Sequence, residues 1–146
     1  MEVASINISK RKGERKVPVE KCRVIENFGL DGDAHSGKWH RQVSLLSIES
    51  IEKVKSEGLN ICPGDFAENI TTKGIKIDKI KVGTQIQIGK DVLLEVTQIG
   101  KECHDKCEIY KRVGNCVMPQ EGIFAKVLKG GIIMSGDKIK INYLEK

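Results

Sequence analysis

Short runs of apolar residues, many of them alternating with polar ones, predict a chain built mainly from β-strands. The runs and the glycine-rich breaks between them place strands at residues 3–9, 16–25, 42–46, 66–71, 75–77, 84–88, 92–99, 123–128 and 138–143. Pro18 has no backbone N–H to donate, so the second of these strands is expected at a sheet edge. The runs on either side of Gly89-Lys90-Asp91 predict a β-hairpin.

One segment has the helical period instead. Apolar residues recur at helical spacing from Ile48 to Val54, Ser47 is a good N-cap, and Gly58 supplies the stop, which predicts a helix over residues 48–57. A second, short helix is expected at residues 105–113. Eight or nine strands with one or two short helices predict a mainly β fold, either a barrel or a strongly curved sheet.

Composition adds the cellular setting. The 146 residues fit a single domain, 1–146, and with aromatics at only 4% its core must be aliphatic. No apolar stretch has the length of a membrane helix, and the charged start is unlike a signal peptide. Five cysteines, an odd number, favour free thiols in a reducing compartment. These features predict a cytoplasmic protein that does not use a membrane.

The positive charge is concentrated near the start of the chain. Residues 10–23 contain seven basic residues and two acidic ones, so this segment alone matches the net charge of +5 of the whole chain. The basic residues are Lys10, Arg11, Lys12, Arg15, Lys16, Lys21 and Arg23. Such a patch can bind a phosphate-bearing small molecule or a nucleic acid. From charge alone, a solvated basic hairpin is the favoured reading.

The strongest chemical signal lies in residues 101–119, which we call the cysteine segment. Cys103, His104, Cys107 and Cys116 lie there among Lys101 and other basic residues, and a nearby positive charge favours the reactive thiolate. Four such ligands could hold zinc, but adjacent Cys103 and His104 cannot easily reach one tetrahedral ion. If residues 105–113 are helical, Cys103 and Cys107 lie about one turn apart, close enough for a reversible disulfide.

Two further polar groups stand out. Residues 28–46 carry Asp33, His35, His40 and Arg41 around tight Asp-Gly turns, where they could hold a metal or a polar ligand, with Arg41 as a bidentate anion-binding group. An ordinary surface loop is the alternative.

Residues 63–72 place Asp65, Glu68 and Asn69 at the start of an apolar strand. Asn69 is unusual there unless its amide bonds to something specific, and nearby Cys62 is expected in the core.

Together these motifs resemble the MOSC family, small β-barrel domains named for the C-terminal domain of molybdenum cofactor sulfurases. The resemblance covers nearly the whole chain, and residues 101–131 are most similar to stand-alone bacterial members or to MOSC halves fused to a molybdopterin-processing domain. It rests on Ile6-Asn7-Ile8-Ser9-Lys10-Arg11-Lys12-Gly13, Gly29-Leu30-Asp31-Gly32-Asp33-Ala34-His35, Arg41-Gln42-Val43-Ser44-Leu45-Leu46, Pro63-Gly64-Asp65-Phe66-Ala67-Glu68-Asn69, Gly83-Thr84, the cysteine segment, Gly130-Gly131 and Ser135-Gly136-Asp137.

The resemblance implies a MOSC-type β-barrel that binds a molybdenum or tungsten pterin cofactor, or carries sulfur as a cysteine persulfide for metal–sulfur cofactor assembly. The family's key cysteine matches Cys103, which would ligate the metal or hold the persulfide. The basic hairpin and Arg41 would then face the phosphate of the cofactor. Many members have proline before this cysteine and an aromatic residue after it, whereas this chain has Glu102 and His104.

The resemblance also implies what the chain needs from others. It has no pyridoxal phosphate site of its own, so a cysteine desulfurase would have to supply the sulfur, and molybdenum-cofactor biosynthesis or acceptor proteins would be the other partners. The domain could serve as a sulfur transferase component or as a partner-dependent molybdenum-cofactor oxidoreductase. The alternative from another class is a non-catalytic module, either zinc-stabilised or nucleic-acid-binding. Nucleic acid is disfavoured because no aromatic residue interleaves with the basic run to stack bases.

The expected site residues follow from these readings. The catalytic candidates are Cys103, His104, Cys107 and Cys116, and Cys103 is also the metal ligand. The cofactor-binding candidates are Lys10, Arg11, Lys12, Asp33, His35, Arg41, Asn69 and Lys101. Cys107 and Cys116 leave open whether Cys103 acts alone or in a relay.

Overall fold

The computed structural model describes residues 1–11, 14–55, 61–100 and 122–144, and these contain eleven strands and one α-helix. The strands are β1 (Glu2–Ile8), β2 (Val17–Val19), β3 (Lys21–Ile25), β4 (Gly29–Leu30), β5 (Val43–Ser47), β6 (Ile70–Lys73), β7 (Gln85–Ile88), β8 (Val92–Ile99), β9 (Ile123–Lys129), β10 (Gly131–Met134) and β11 (Ile139–Asn142). The helix is α1 (Ile48–Lys55).

Two sheets organise these strands. Eight strands form the large sheet in the order β11-β7-β8-β9-β5-β6-β1-β2, and β10, β3 and β4 form the small one. Neighbouring strands run antiparallel except β5 and β6, which are parallel. A parallel pair needs a crossover connection, and α1 lies in that connection and packs against both strands.

The mainly β prediction is confirmed, but the predicted barrel is not. The large sheet ends at β11 on one side and β2 on the other, and no continuous ladder between described strands closes it. Among the described residues, the two sides meet only around an isolated bridge between Glu2 and Lys138. There the Val3 N–H donates to the Asp137 carbonyl oxygen at 2.8 Å. The edge position predicted from Pro18 is confirmed, because β2 is the last strand of the sheet.

The main core lies between the inward faces of the two sheets. Its most buried members are Ile6, Val43, Leu45, Ile70, Ile86, Leu94 and Ala125 from the large sheet and Leu30 and Ile133 from the small one. Alternation sends the neighbours Leu46 and Phe124 to the opposite face, where they are also buried. That second face carries α1 and the polar groups of the candidate site.

Several sequence expectations need correction. Residues 75–77 do not form a strand, since a 3-10 turn spans Ile77–Lys79. The strand expected at residues 66–71 begins only at Ile70, because Ala67 has a φ of 62° and breaks the extended conformation. The strand expected at 16–25 is divided into β2 and β3. The two-residue strand β4 and the four-residue strand β10 were not predicted.

Other expectations agree with the structure. The hairpin at residues 84–96 is formed by β7 and β8, with Ile88 paired to Val92. Ser47 is the N-cap of α1, because its Oγ accepts the N–H of Ser50 at 3.1 Å. The helix expected at residues 105–113 lies outside the described residues. Among the residues described, no helix has the length and apolar character needed to cross a membrane.

Candidate functional site

A buried ion pair connects Lys16, the residue before β2, to Asp33 in the loop after β4. The Lys16 Nζ lies 2.7 Å from the Asp33 Oδ1, and both side chains are fully buried. Asp33 also accepts the backbone N–H of Ser9 at 3.1 Å and that of His35 at 3.0 Å. We call Lys16 and Asp33 the buried pair. The sequence predicts Lys16 as part of the exposed basic run, whereas the structure shows that it is buried.

The environment of Asp33 explains its ionisation. Burial, the largest single effect, raises the pKa of this carboxyl, but the hydrogen bond and charge of Lys16, the Asn69 amide and the Ser9 N–H together outweigh it. The net effect is a pKa below the ordinary value of 3.8. Asp33 is therefore a buried carboxylate whose contacts hold the loop of residues 31–41 against the end of β1.

A row of ring contacts leads away from the buried pair. The rings of His35 and Trp39 are stacked, with an interplanar angle of 7° and centroids 6.4 Å apart. The Arg41 Cζ lies 4.7 Å from the Trp39 ring centroid and 5.6 Å from that of Phe124 in β9. We call these four residues the ring stack. Sequence reasoning missed Trp39, although the single tryptophan of an aromatic-poor chain, set in a polar loop, was a visible signal.

Arg41 is the member of the ring stack best suited to bind an anion. Its Nε is buried and has no hydrogen-bond partner among the described residues. Burying a polar N–H without a partner costs free energy, and a guanidinium is a planar donor that matches carboxylate and phosphate oxygens. The predicted role of Arg41 in binding an anion stays a prediction, and the unsatisfied donor fits it.

Gly100 and Gly122, which precede and follow the cysteine segment in the sequence, lie near the ring stack. The Gly100 N–H donates to the Gly122 carbonyl oxygen at 2.7 Å, so these two residues are held together. Gln98 donates to the Gly100 carbonyl oxygen at 2.8 Å and contacts the His40 Nε2 at 2.8 Å. His40 precedes Arg41, so Gly100 and the anion-binding candidate are connected through Gln98 and His40.

Part of the predicted site lies outside the described residues. This applies to Lys12, Lys101, Cys103, His104, Cys107 and Cys116. Of the other basic candidates, Lys10 and Arg11 are exposed. The Arg11 side chain is 83% exposed and lies 4.0 Å from the Glu14 carboxylate, a weak surface contact. Both cations could therefore reach a ligand from the rim.

Asn69 belongs to a buried polar network on the outer face of the large sheet, which also includes Asn7, Ser44, Glu68 and Thr71. Its Oδ1 accepts the Ser44 N–H at 2.9 Å, and its Nδ2 donates to the Asn7 carbonyl oxygen at 3.3 Å. The expectation that this amide bonds to something specific is confirmed. These contacts join β1, β5 and the start of β6.

Glu68 is the fully buried acid of this network. Its Oε2 accepts the Thr71 hydroxyl at 2.8 Å, whereas its Oε1 has no hydrogen-bond partner in the part of the chain that the structure describes. Burial raises the pKa of Glu68 above the ordinary 4.5, and this effect exceeds the opposing backbone and Thr71 hydrogen bonds. The carboxyl is thus biased toward its neutral form, which suits a structural role under the 61–69 loop.

The two described cysteines differ from each other. Cys22 is buried in β3, and burial raises the pKa of its thiol, which makes it a poor nucleophile. Cys62 was expected in the core, and this is wrong: it is exposed at the start of the 61–69 loop. Within the described ranges, no group of three His, Cys, Asp or Glu side chains is placed to hold a metal ion.

Comparison with known proteins identifies the relatives of this fold. The sequence model of the MOSC domain matches residues 32–140, well over half of the chain. The structure is similar to the YUAD protein of Bacillus subtilis, with a TM-score of 0.82 and 18% identity over 99% of this chain and 96% of that one. It also resembles YiiM of Geobacillus stearothermophilus (TM-score 0.73, 21% identity, 97% and 74% of the two chains) and YiiM of Escherichia coli (0.69, 16%, 99% and 71%). At these identities the likeness establishes the fold. No curated protein matches the sequence.

Proposed function

Because this chain belongs to the MOSC domain family, we propose that it handles sulfur or metal through Cys103 in the reducing cytoplasm. In this proposal it binds a molybdenum or tungsten pterin cofactor, carries a persulfide for metal–sulfur cofactor assembly, or does both. The single observation that carries the proposal is the position of Cys103 three residues after Gly100, in a family match that spans it. A MOSC-type β-barrel, closed in the full chain, is part of the same proposal.

Chain connectivity supports a site near Arg41. Three residues span at most about 11 Å when fully extended, so Cys103 cannot lie farther than that from Gly100. Gly100 is tied through Gln98 to His40, the residue before Arg41. In this proposal, a ligand on the Cys103 sulfur lies within reach of the ring stack.

The donors around this place fit a phosphate-bearing cofactor. Arg41 offers an unsatisfied Nε and a planar guanidinium, while Lys10 and Arg11 supply exposed positive charge. When bound, such a cofactor would supply a metal centre with soft-ligand chemistry, for which a thiolate is a suitable ligand. The contribution of this chain would be to bind the phosphate and present the Cys103 thiolate.

Sulfur transfer to Cys103 needs no external oxidant or reductant. The Cys103 thiolate attacks the terminal sulfur of a persulfide on a cysteine desulfurase, forming a new S–S bond while the S–S bond of the donor breaks. The desulfurase cysteine leaves as a thiolate. In the second step, a thiolate of the acceptor protein attacks the terminal sulfur of the Cys103 persulfide, and Cys103 leaves as a thiolate. Cys107 or Cys116 would be the candidates for a relay.

The contacts of two basic residues bear on whether the ligand is a nucleic acid or a small phosphate. Lys16 is buried, and Arg15 pairs with Asp65 at 3.5 Å, so fewer of the seven basic residues remain for a nucleic acid backbone. A small phosphate needs only a few cations, which the exposed Lys10 and Arg11 can provide. The observed charges therefore favour a compact anionic ligand over a nucleic acid.

The proposal is tested by sulfur loading and metal analysis of the full chain. The anaerobic protein is incubated with a cysteine desulfurase and cysteine, and its peptides are mapped by mass. We expect one added sulfur on Cys103, or molybdenum or tungsten that copurifies in proportion to protein. Cys103→Ser should lose both signals while keeping its folded spectrum.

Cys62→Ser is the matched control, because Cys62 is a second thiol that the structure shows to be exposed. This variant should load as much sulfur as the parent. Sulfur added equally to Cys62 would indicate unspecific labelling. Full loading and full metal content in Cys103→Ser would contradict the assignment.

A further inference from the structure

The buried amine of Lys16 contacts a histidine as well as a carboxylate. Its Nζ lies 2.7 Å from the Asp33 Oδ1, 3.0 Å from the Ser9 Oγ and 3.0 Å from the His35 Nδ1. An ammonium group has three hydrogens and no acceptor. Each of these contacts must therefore be a donation from Lys16, and the His35 Nδ1 must be an acceptor.

This contact determines which nitrogen of His35 carries the proton. A neutral imidazole has one donor nitrogen and one acceptor nitrogen, so an accepting Nδ1 places the proton on Nε2. The opposite tautomer has no good acceptor in the buried pair. The Asp33 Oδ2 is 3.9 Å from the His35 Nδ1, beyond hydrogen-bond distance, and Oδ1 is already engaged by Lys16.

The orientation of the His35 ring is fixed from two sides. On one side, its backbone N–H donates to the Asp33 Oδ2 at 3.0 Å. On the other, the Trp39 ring stacks on it, and the Trp39 Nε1 donates to the His35 carbonyl oxygen at 2.7 Å. The His35 side chain is held by these contacts, and 22% of it remains exposed to solvent.

We propose that Lys16 is a positioning residue that locks His35 as a neutral imidazole with its proton on Nε2, so that His35 donates a hydrogen bond to an anionic oxygen of the bound ligand. This inference rests on the proposed function, since it places His35 beside Arg41 as a second donor to the phosphate-bearing cofactor. It assigns His35 as a donor, because an Nε2 that carries a proton cannot act as a general base. Trp39, in contact with both His35 and Arg41, joins the two donors.

The first test measures the tautomer directly on the unmodified chain without ligand. A long-range ¹H–¹⁵N correlation spectrum at pH 8 distinguishes a protonated Nε2 from a protonated Nδ1 by their nitrogen shifts. We expect His35 as the Nε2–H form alone. A spectrum with the proton on Nδ1, or a rapidly exchanging mixture, would overturn the inference whatever the protein binds.

The second test removes the amine. Lys16→Met keeps an unbranched side chain that is one atom shorter and cannot donate, so we expect His35 to lose its single tautomer. If this variant fails to fold with Asp33 buried and unpaired, the double variant Lys16→Met/Asp33→Asn serves instead. Arg15→Met is the matched control, because it removes the neighbouring, half-exposed cation and should leave the His35 spectrum unchanged. An unchanged tautomer in the folded variants without the amine would contradict a positioning role.

The third test links the tautomer to ligand binding, with isolated molybdenum pterin cofactor as the probe. His35→Phe should bind it about tenfold more weakly, the effect of one lost hydrogen bond to a charged group. His35→Gln retains a donor in a similar place and should recover most of the affinity. Equal affinities for both variants would overturn the donor role. Failure of the unmodified chain to bind the cofactor, with the Nε2–H tautomer observed, would contradict the cofactor proposal and leave the positioning of His35 by Lys16 intact.

Discussion

Removing one member of the buried pair should destabilise the fold much more than removing both charges. At 2.7 Å and an effective dielectric constant of about 20, the two charges attract each other by about 6 kcal/mol. Taking each ion out of water costs several kcal/mol, so the pair as a whole contributes little net stability. Lys16→Met leaves the buried Asp33 charge without its partner, for which we expect a loss of about 3–5 kcal/mol.

The double variant isolates the interaction. Lys16→Met/Asp33→Asn leaves no buried charge and keeps one side-chain oxygen, which can accept the N–H of Ser9 or that of His35 but not both, so we expect a loss of about 2 kcal/mol. Urea unfolding of the parent, both single variants and the double variant at pH 7 gives the coupling free energy. We expect a coupling of at least about 2 kcal/mol. Single-variant losses below about 1 kcal/mol, or a double loss equal to their sum, would refute the reasoning.

The same variants predict a pH dependence. The folded protein binds the Asp33 proton more weakly than the unfolded chain does, because the pKa of Asp33 is lowered on folding. The stabilisation is therefore present above the ordinary value of 3.8 and is lost as the pH falls toward the lowered folded value. The parent should lose stability below pH 3.8 more steeply than Lys16→Met/Asp33→Asn. Parallel profiles for the two proteins would contradict this assignment.

Three other predictions concern a buried acid, two glycines and two cysteines. Burial raises the pKa of Glu68 in the folded state, so its contribution should weaken as the pH rises above 4.5, and Glu68→Gln should flatten that part of the unfolding profile. Gly64→Ala places a Cβ against a backbone carbonyl at a φ of 91° and should cost about 3 kcal/mol in urea unfolding, whereas Gly136→Ala, at 92° with open space around it, should cost about 1 kcal/mol. Iodoacetamide should alkylate Cys62 in the folded protein and Cys22 only after unfolding, as read by peptide mass; equal labelling rates would contradict their different burial.

The sequence predicted the strands that alternate cleanly and failed where local conformation overrides the pattern. Residues 92–99 are apolar at every inward position and form β8 as expected. Residues 66–69 are also apolar in part, but the left-handed Ala67 turns them into a loop. The strand β10 was missed because Ile132 and Met134 are exposed on an edge strand, so no alternating buried pattern marks it apart from Ile133.

The candidate site was predictable by residue type and much less by partner. Asp33, His35 and Arg41 stand in one loop, so their proximity follows from the chain itself. Lys16 is buried through a contact across 17 residues, which its position in a run of surface cations concealed. A charge pattern records composition along the chain, whereas burial of a lysine depends on a carboxylate that only the folded arrangement brings to it.

The contacts that stabilise the loop of residues 31–41 are also those that prepare it for a ligand. Asp33 fixes the backbone of His35, Lys16 fixes its ring nitrogen, and Trp39 connects that ring to Arg41. A donor held in one orientation before binding loses little conformational entropy when the ligand arrives. Because the end of β1 is tied to the same buried pair through Ser9, strain introduced there would reach both the fold and the donors. Loss of stability and loss of ligand affinity should therefore go together for Lys16 variants and separate for His35 variants, which leave the buried pair in place.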